Sequence, residues 1–321
     1  MRPAPAASLL AVVVAAGCGD TAPGPARSDR WTPLTSATLQ RTEVAAARIG
    51  RYAYVIGGFE RRTGSTTTAV ERYDLRTNSW KRVRSMPIGV NHSTATVYRG
   101  KLYVHGGYRG RRDLSSATDR FYRYDPHRDR WRRMPDSPSP RAAHAAAVIG
   151  HRLYVAGGAN ARGSLRSLEV YNFERGRWRR GRSFLGPARN HTTGAASGGR
   201  FFVIAGRDEH NFRAVDRYDP SKRRWKRMRS IPTARGGIAS ARLPDGRIVV
   251  FGGEQLGPGG TTIRQVEVYS PRRNRWRALP SMLTPRHGLG GVSLRNRVYA
   301  IEGGPQPGFH FSDAIEFLSV P

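Results

Sequence analysis

Between Arg141 and Trp178 the chain alternates short apolar runs with polar breaks. It reads R-A-A-H-A-A-A-V-I-G-H-R-L-Y-V-A-G-G, then a Gly/Ser-rich gap, then L-E-V-Y-N-F-E-R-G-R-W. Two apolar runs flank a tight turn at Gly150–Arg152, and Gly157-Gly158 ends the second. A third run spans Leu168–Tyr171, and a further turn delivers Trp178 into a fourth. β-branched and aromatic residues in the runs, with Gly and Asn between them, predict four consecutive antiparallel strands. A lone sheet of this kind cannot bury both faces, so the unit has to recur.

It recurs along nearly the whole chain. Glycine pairs fall at Gly57-Gly58, Gly106-Gly107, Gly157-Gly158, Gly252-Gly253 and Gly303-Gly304, with Ala205-Gly206 filling the gap. Every tryptophan belongs to the pattern: Trp31, Trp80, Trp131, Trp178, Trp225 and Trp276. A tyrosine stands seven residues before each of the last five, at Tyr73, Tyr124, Tyr171, Tyr218 and Tyr269. Glycine pairs allow φ > 0 and close backbone approach, while Trp and Tyr supply large faces to bury between units. The marks return about every fifty residues, and in this they resemble the kelch-repeat family. That resemblance implies an all-β fold: a six-bladed kelch β-propeller with four antiparallel strands per blade.

Trp31-Thr32-Pro33-Leu34 looks like a fourth strand without its first three, and Asp313–Leu318 looks like a third strand with no Trp after it. The N-terminal strand around Trp31 is therefore expected to complete the last blade, removing the open edges of a linear array. The other blades are expected at Val44–Met86, Ser93–Met134, Ala142–Phe184, Thr192–Ile231 and Ile238–Met282.

The first residues read differently. Residues 1–17 carry Arg2, an apolar run and then Ala15-Ala16-Gly17-Cys18, which resembles a bacterial lipoprotein signal peptide with Cys18 as the lipidated residue. Residues 18–30 are a Pro/Gly-rich tether, and residues 31–321 form the propeller. The expected location is the cell envelope, lipid-anchored at Cys18. With one cysteine in the chain, an internal disulfide, a Cys-based zinc site and the Cys–Tyr copper centre of galactose-oxidase-type propellers are all excluded.

Candidate chemistry gathers where fourth strands lead into first strands. Arg41, Asn91 with His92, Arg141 with His144, Arg189 with His191, Arg235, and Arg286 with His287 recur there, and Tyr108, Asn160 and Glu254 lie on loops expected at the same face. Guanidinium groups ringed around a channel mouth would grip carboxylate or phosphate. By resemblance to the family, this face would capture a ligand or a peptide. Glu302 and His105 precede glycine pairs where other blades carry apolar residues. No Asp, Glu or His group has the sequence spacing of a metal site, and no cofactor is expected.

Charge adds a second surface. The formal net charge is +32, and only Lys81, Lys101, Lys222 and Lys226 among the 55 basic residues are lysine. Third-to-fourth turns read H-R-D-R-W-R-R, E-R-G-R-W-R-R, S-K-R-R-W-K-R and R-R-N-R-W-R, so a basic rim is expected opposite the mouth. Such a rim, beside a lipid anchor, suits an anionic membrane surface. Nucleic acid fits less well, because the aromatics are committed to the core. The expected function is a monomeric binding or scaffold module for an anionic ligand, such as an acidic glycan or peptide, or for an envelope protein. The alternative is a sugar-modifying enzyme resembling periplasmic N-acetylneuraminate epimerases. No pair of acid and base demands that chemistry by its spacing.

Overall fold

The computed structural model describes residues 1, 30–110, 114–255, 257 and 259–321. The signal segment, Cys18 and most of the tether lie outside the described residues. Among those described there is no helix, and the strands form six four-stranded antiparallel sheets with small additional ladders.

The first blade comprises Ala45–Ile49, Tyr52–Ile56, Val70–Asp74 and Ser79–Val83 in that spatial order. The second runs from Thr94–Tyr98 to Arg130–Arg133, the third from Ala145–Ile149 to Arg177–Gly181. The fourth spans Thr193–Ser197 to Arg224–Arg227 and the fifth Ala239–Arg242 to Arg275–Leu279. The sixth contains Gly290–Leu294, Arg297–Ile301 and Ile315–Ser319, and Thr32–Pro33 pairs outside them with Thr32 opposite Phe317. Successive innermost strands adjoin, and the last, Gly290–Leu294, returns to Ala45–Ile49. The ring is closed by its two ends sharing one sheet.

The core is divided rather than central. Six clusters of buried apolar residues sit one at each blade junction. Tyr54 and Ile56 of the first blade meet Leu102 and Tyr124 of the second; Val292 and Tyr299 of the sixth meet Val55 and Tyr73 of the first. Each tryptophan also stitches a junction with its indole N–H, donated to a carbonyl of the blade before it. Trp80 reaches Thr35 O at 2.9 Å, Trp131 reaches Arg84 O at 2.9 Å, and Trp31 reaches Pro280 O at 2.8 Å. Trp31 and Trp225 are buried, whereas the other four are partly exposed. The tyrosines lock the turns that carry these tryptophans: Tyr124 and Tyr269 hydroxyls donate to Asp129 and Asn274 at 2.5 and 2.6 Å.

The glycine pairs form a second set of stitches. Gly58 N–H donates to Val90 O at 2.9 Å, and Gly107, Gly158, Gly206, Gly253 and Gly303 repeat the bond to Arg141, Arg189, Arg235, Arg286 and Arg41. A Cβ on Gly57 would stand 2.2 Å from Val90 O, so Gly57 cannot easily carry a side chain, whereas Ala205 fills the equivalent place in the fourth blade. In the sixth blade this register corrects the expected pair: Glu302-Gly303 is the equivalent dipeptide, and Gly304 follows it. Glu302 occupies the left-handed first position at φ 55°.

The five recurrent arginines are structural. Arg41, Arg141, Arg189, Arg235 and Arg286 are fully buried. Each guanidinium ties the end of the second strand to the third strand and faces a carboxylate there: Glu71, Glu169, Asp216, Glu267 and Glu316 respectively. Arg141, for example, donates to Gly157 O at 3.0 Å and lies 3.0 Å from Glu169. In the second blade Val90 and Tyr122 replace both partners at once, and both join the apolar cluster. A buried charge left without its partner costs about 3–5 kcal/mol, whereas loss of the whole pair to apolar groups is often neutral.

Arg141→Val alone should lower the melting temperature sharply, while Arg141→Val with Glu169→Tyr, copying the second blade, should recover most of the loss; additive losses in thermal melts would refute the paired role. A second prediction concerns Glu302, which shares Arg41 with Glu71 at 2.8 Å to each. Burial pushes the Glu302 carboxyl up to about 7, with Arg41 opposing and Glu71 adding to the rise. Its folded pKa lies above its unfolded one, so its contribution to stability is fully present below pH 4.5 and lost as pH rises through about 7. Glu302→Gln should therefore raise the melting temperature at pH 8 and change it little at pH 4.5; the reverse ordering would show that Glu302 is ionised and stabilising.

Candidate functional site

Each innermost strand is preceded by a residue with left-handed backbone: Glu43, His92, Ala143, His191, Gly237 and Gly288, with φ between 49° and 67°. Their backbones bond in sequence around the propeller axis. His92 N–H donates to Glu43 O at 3.0 Å, Ala143 to His92 O at 2.8 Å, Gly237 to His191 O at 3.1 Å and Gly288 to Gly237 O at 2.8 Å. Thr192 N–H to Ala143 O and Val44 N–H to Gly288 O complete the girdle. Six equivalent positions are thus held at one end of the channel. Three are Glu43, His92 and His191, and the other three are Ala143, Gly237 and Gly288.

The side chains of Glu43, His92 and His191 converge. His92 Nε2 lies 3.1 Å from Glu43 Oε2 and 3.0 Å from His191 Nε2. The ligand atoms of all three lie within 4.8 Å of one another. His287 Nδ1 stands 3.1 Å from Glu43 Oε1 and 3.6 Å from Glu254 Oε1, and Glu254 pairs with Arg207. Tyr108 packs edge-on against His92 with ring centroids 5.4 Å apart. Behind the girdle, small residues of the innermost strands, among them Ala47, Ala147 and Gly194, line a cavity of about 550 Å³ that reaches Arg48 and Arg242 at the far end.

Burial alone would raise the Glu43 carboxyl, but His92, His287 and His191 around it hold it well below the ordinary carboxylate range. Burial lowers His92 despite Glu43, and it lowers His191 further with the help of Arg207. His287 moves the other way: burial opposes its charge, and the hydrogen bond to Glu43 prevails. The Glu43 carboxylate and the histidines around it are thus electrostatically coupled, burial disfavouring charge on His92 and His191 while Glu43 favours it.

The expected residues divide between this site and the scaffold. His92, His191, His287 and Glu254 converge on the axis, with Asn91 and Tyr108 supporting His92. Arg41, Arg141, Arg189, Arg235 and Arg286 do not form an open guanidinium ring, because each is enclosed and held by a carboxylate and backbone carbonyls. His144 turns into the junction of the second and third blades, where its Nε2 lies 3.0 Å from His105 Nδ1 and 2.8 Å from Thr94 Oγ1. Burial, and then Arg141, pulls His105 down to about 3. Asn160 braces its own loop, donating to Pro140 O at 3.2 Å and accepting from Arg162 N–H at 2.9 Å.

Glu43 was not among the sequence candidates, and no local spacing could show it beside two histidines. His92 and His191 are 99 residues apart, close to two repeats, and Glu43 stands about one repeat before His92. Superposing the repeats on the residue two positions after each Arg, with Val90 in register, reveals all three.

Similarity to known proteins agrees with this architecture. Residues 43–242 match the KLHDC2/KLHL20/DRC7 Kelch-repeats domain, and residues 239–283 match the Kelch motif. Kelch-like protein terF of Aspergillus terreus (strain NIH 2624 / FGSC A1156) is 26% identical over 314 residues, covering 91% of this chain and 68% of that protein. Kelch-like protein 35 of Mus musculus is 32% identical over 137 residues, covering 42% of this chain and 22% of that protein. Kelch repeat and BTB domain-containing protein 1 of Cowpox virus (strain Brighton Red) is 29% identical over 138 residues, covering 40% and 24%. A solved structure titled "Structure of YjhT" is alike in fold, with a TM-score of 0.74 over 88% of this chain and 95% of that one at 14% identity. With its Trp, Tyr and glycine marks at equivalent places in the closed ring of sheets, the chain belongs to the kelch-repeat family.

Proposed function

We propose that this propeller is a binding module whose basic face engages an anionic partner, an acidic membrane surface in the first place. The observation that carries the reading is how the positive charge is partitioned. The five buried arginines are neutralised inside the blades, while the third-to-fourth turns and outermost strands hold Arg128, Arg130, Arg175, Arg177, Arg223, Arg224, Arg273 and Arg275 exposed. Antiparallel topology puts these turns at the opposite end from the girdle. Arg30, immediately before the closing strand, lies at that same end, so a tether leading from a lipidated Cys18 would enter there. Each Lys or Arg near an anionic surface gains about 1 kcal/mol, and this attraction reinforces a single lipid chain.

The full chain should sediment with vesicles containing anionic lipid, and the lipidated form should stay bound in high salt. Cys18→Ser should be released by salt. Changing the eight exposed arginines to Gln in that background should cut binding at low salt at least tenfold. Binding that ignores salt and the eight substitutions would refute the basic face and leave a glycan or protein partner at the other end.

The axial cluster and its adjoining cavity favour a second reading, an enzyme acting on an acidic sugar. Proton exchange at a sugar carbon or ring opening would use unprotonated His92 or His191 as base, with the Glu43 carboxylate beside it stabilising the imidazolium that forms. Turnover of N-acetylneuraminate anomers, followed by NMR and lost in Glu43→Gln, would support it; identical rates in both proteins would end it.

A further inference from the structure

We infer that Glu43, His92 and His191 form a binding site for a divalent first-row transition ion on the propeller axis, with zinc as a fitting occupant. The inference rests on which hydrogen each atom must donate. Thr66 Oγ1 donates its one hydrogen to Gly110 O, so it can only accept from Asn91 Nδ2, 2.8 Å away. That fixes Asn91 Oδ1 towards His92 Nδ1 at 2.6 Å, and Nδ1 must carry the proton. The Nε2 lone pair of His92 is left facing the axis.

The fourth blade repeats the same relay. Ser164 Oγ donates to the Asp208 carboxylate at 2.8 Å and accepts from Asn190 Nδ2 at 2.7 Å. Asn190 Oδ1 then receives the His191 Nδ1 proton. His191 Nε2 is thereby also an acceptor. With both imidazoles neutral, two lone pairs meet at 3.0 Å with a carboxylate oxygen 3.1 Å from one of them. Electron-rich atoms placed like this call for a bridging cation, and a metal ion answers that need without placing an imidazolium in a buried site where desolvation disfavours charge.

The geometry suits a metal ion. Ligands about 2.1 Å from one ion and roughly 90–110° apart lie about 3.0–3.4 Å from each other. The two distances through His92 meet this, and the remaining pair lies within 4.8 Å. Two imidazoles and a carboxylate form the donor set that binds zinc or iron(II) with positions left open. The relays are the outer hydrogen bonds that orient histidine ligands and fix their tautomers. Gly288 makes room for the Glu43 carboxylate itself, because a Cβ there would stand 2.5 Å from Glu43 Oε1. Arg207, the guanidinium nearest this cluster's electrostatics, is neutralised by Glu254. Because the basic face lies at the opposite end, this site stands or falls independently of the proposed partner.

The test uses the full chain, untagged, stripped with chelator and titrated with Zn²⁺ by calorimetry and with Co²⁺ by visible absorption. One ion should bind per chain, and Co²⁺ should give d–d bands in the visible. Glu43→Gln, nearly isosteric and so a guard against misfolding, and His191→Ala should each weaken zinc at least about 100-fold. Asn190→Ala, which keeps all three ligands, should weaken it about 10- to 100-fold. His151→Ala, an exposed histidine outside the site, should bind as the wild type does. Failure of the wild type to take up a stoichiometric ion, or uptake unchanged in both Glu43→Gln and His191→Ala, would overturn the site and leave a shared proton as the bridging charge.

Discussion

A guanidinium enclosed inside five of the six blades is the constraint on which the rest of this structure depends. An arginine with no exposure has to satisfy its charge and its N–H groups within a few ångströms. Here it does so by gripping the carbonyl at the end of the second strand and a carboxylate on the third. The same residue offers its own backbone carbonyl to the glycine dipeptide of the preceding blade. One side chain thus fixes a blade internally, and its main chain fixes the blade to its neighbour. The second blade shows the alternative solution, with Val90 and Tyr122 packed where a charge pair stands elsewhere.

The same repeat fixes the geometry of the axis. The residue two positions after each Arg, and after Val90 in the second blade, has left-handed backbone and is bonded to its neighbours around the ring. Architecture decides where those six side chains point, but not what they are. Glycine meets the backbone demand cheaply at two positions, Gly237 and Gly288. Ala143, Glu43, His92 and His191 meet it at the cost of unfavourable φ values, and the three of these that gather their side chains in one buried cluster mark a place where side-chain chemistry outweighs local ease.

The repeat itself was legible because it is written in residues whose roles are local: Trp in the fourth strand, Tyr in the third, glycine after the second. Ring closure by the Trp31 strand was legible because two partial blades at the chain ends complement each other. The arginines were legible as a recurrent feature and misread as a ligand ring, since sequence shows that an Arg recurs but not that its partner is the acid of the next-but-one strand. The alternation V-E-R-Y, L-E-V-Y, V-D-R-Y and V-E-V-Y held that information, with an acid at one fixed place and Tyr122 at the same place in the blade that lacks the Arg. Glu302 was misplaced by one residue because Gly303-Gly304 imitates the pair found elsewhere. The axial cluster was the least legible, for its members lie whole repeats apart and meet only through closure.

Sorting the charge by depth reconciles an extremely basic chain with a stable fold. Positive charge inside the blades is matched locally by acids, and near the girdle Arg207 is matched by Glu254. What remains unmatched is concentrated on the turns at the far end, where water and salt screen it and where it adds little to blade packing. Neutralising this surface would relieve repulsion without touching the interior, so the surplus is not required by the architecture. The propeller therefore separates two chemistries along one axis, an enclosed Glu–His cluster at the end held by the girdle and a solvated basic face at the other. The closed ring allows each to vary without disturbing the other.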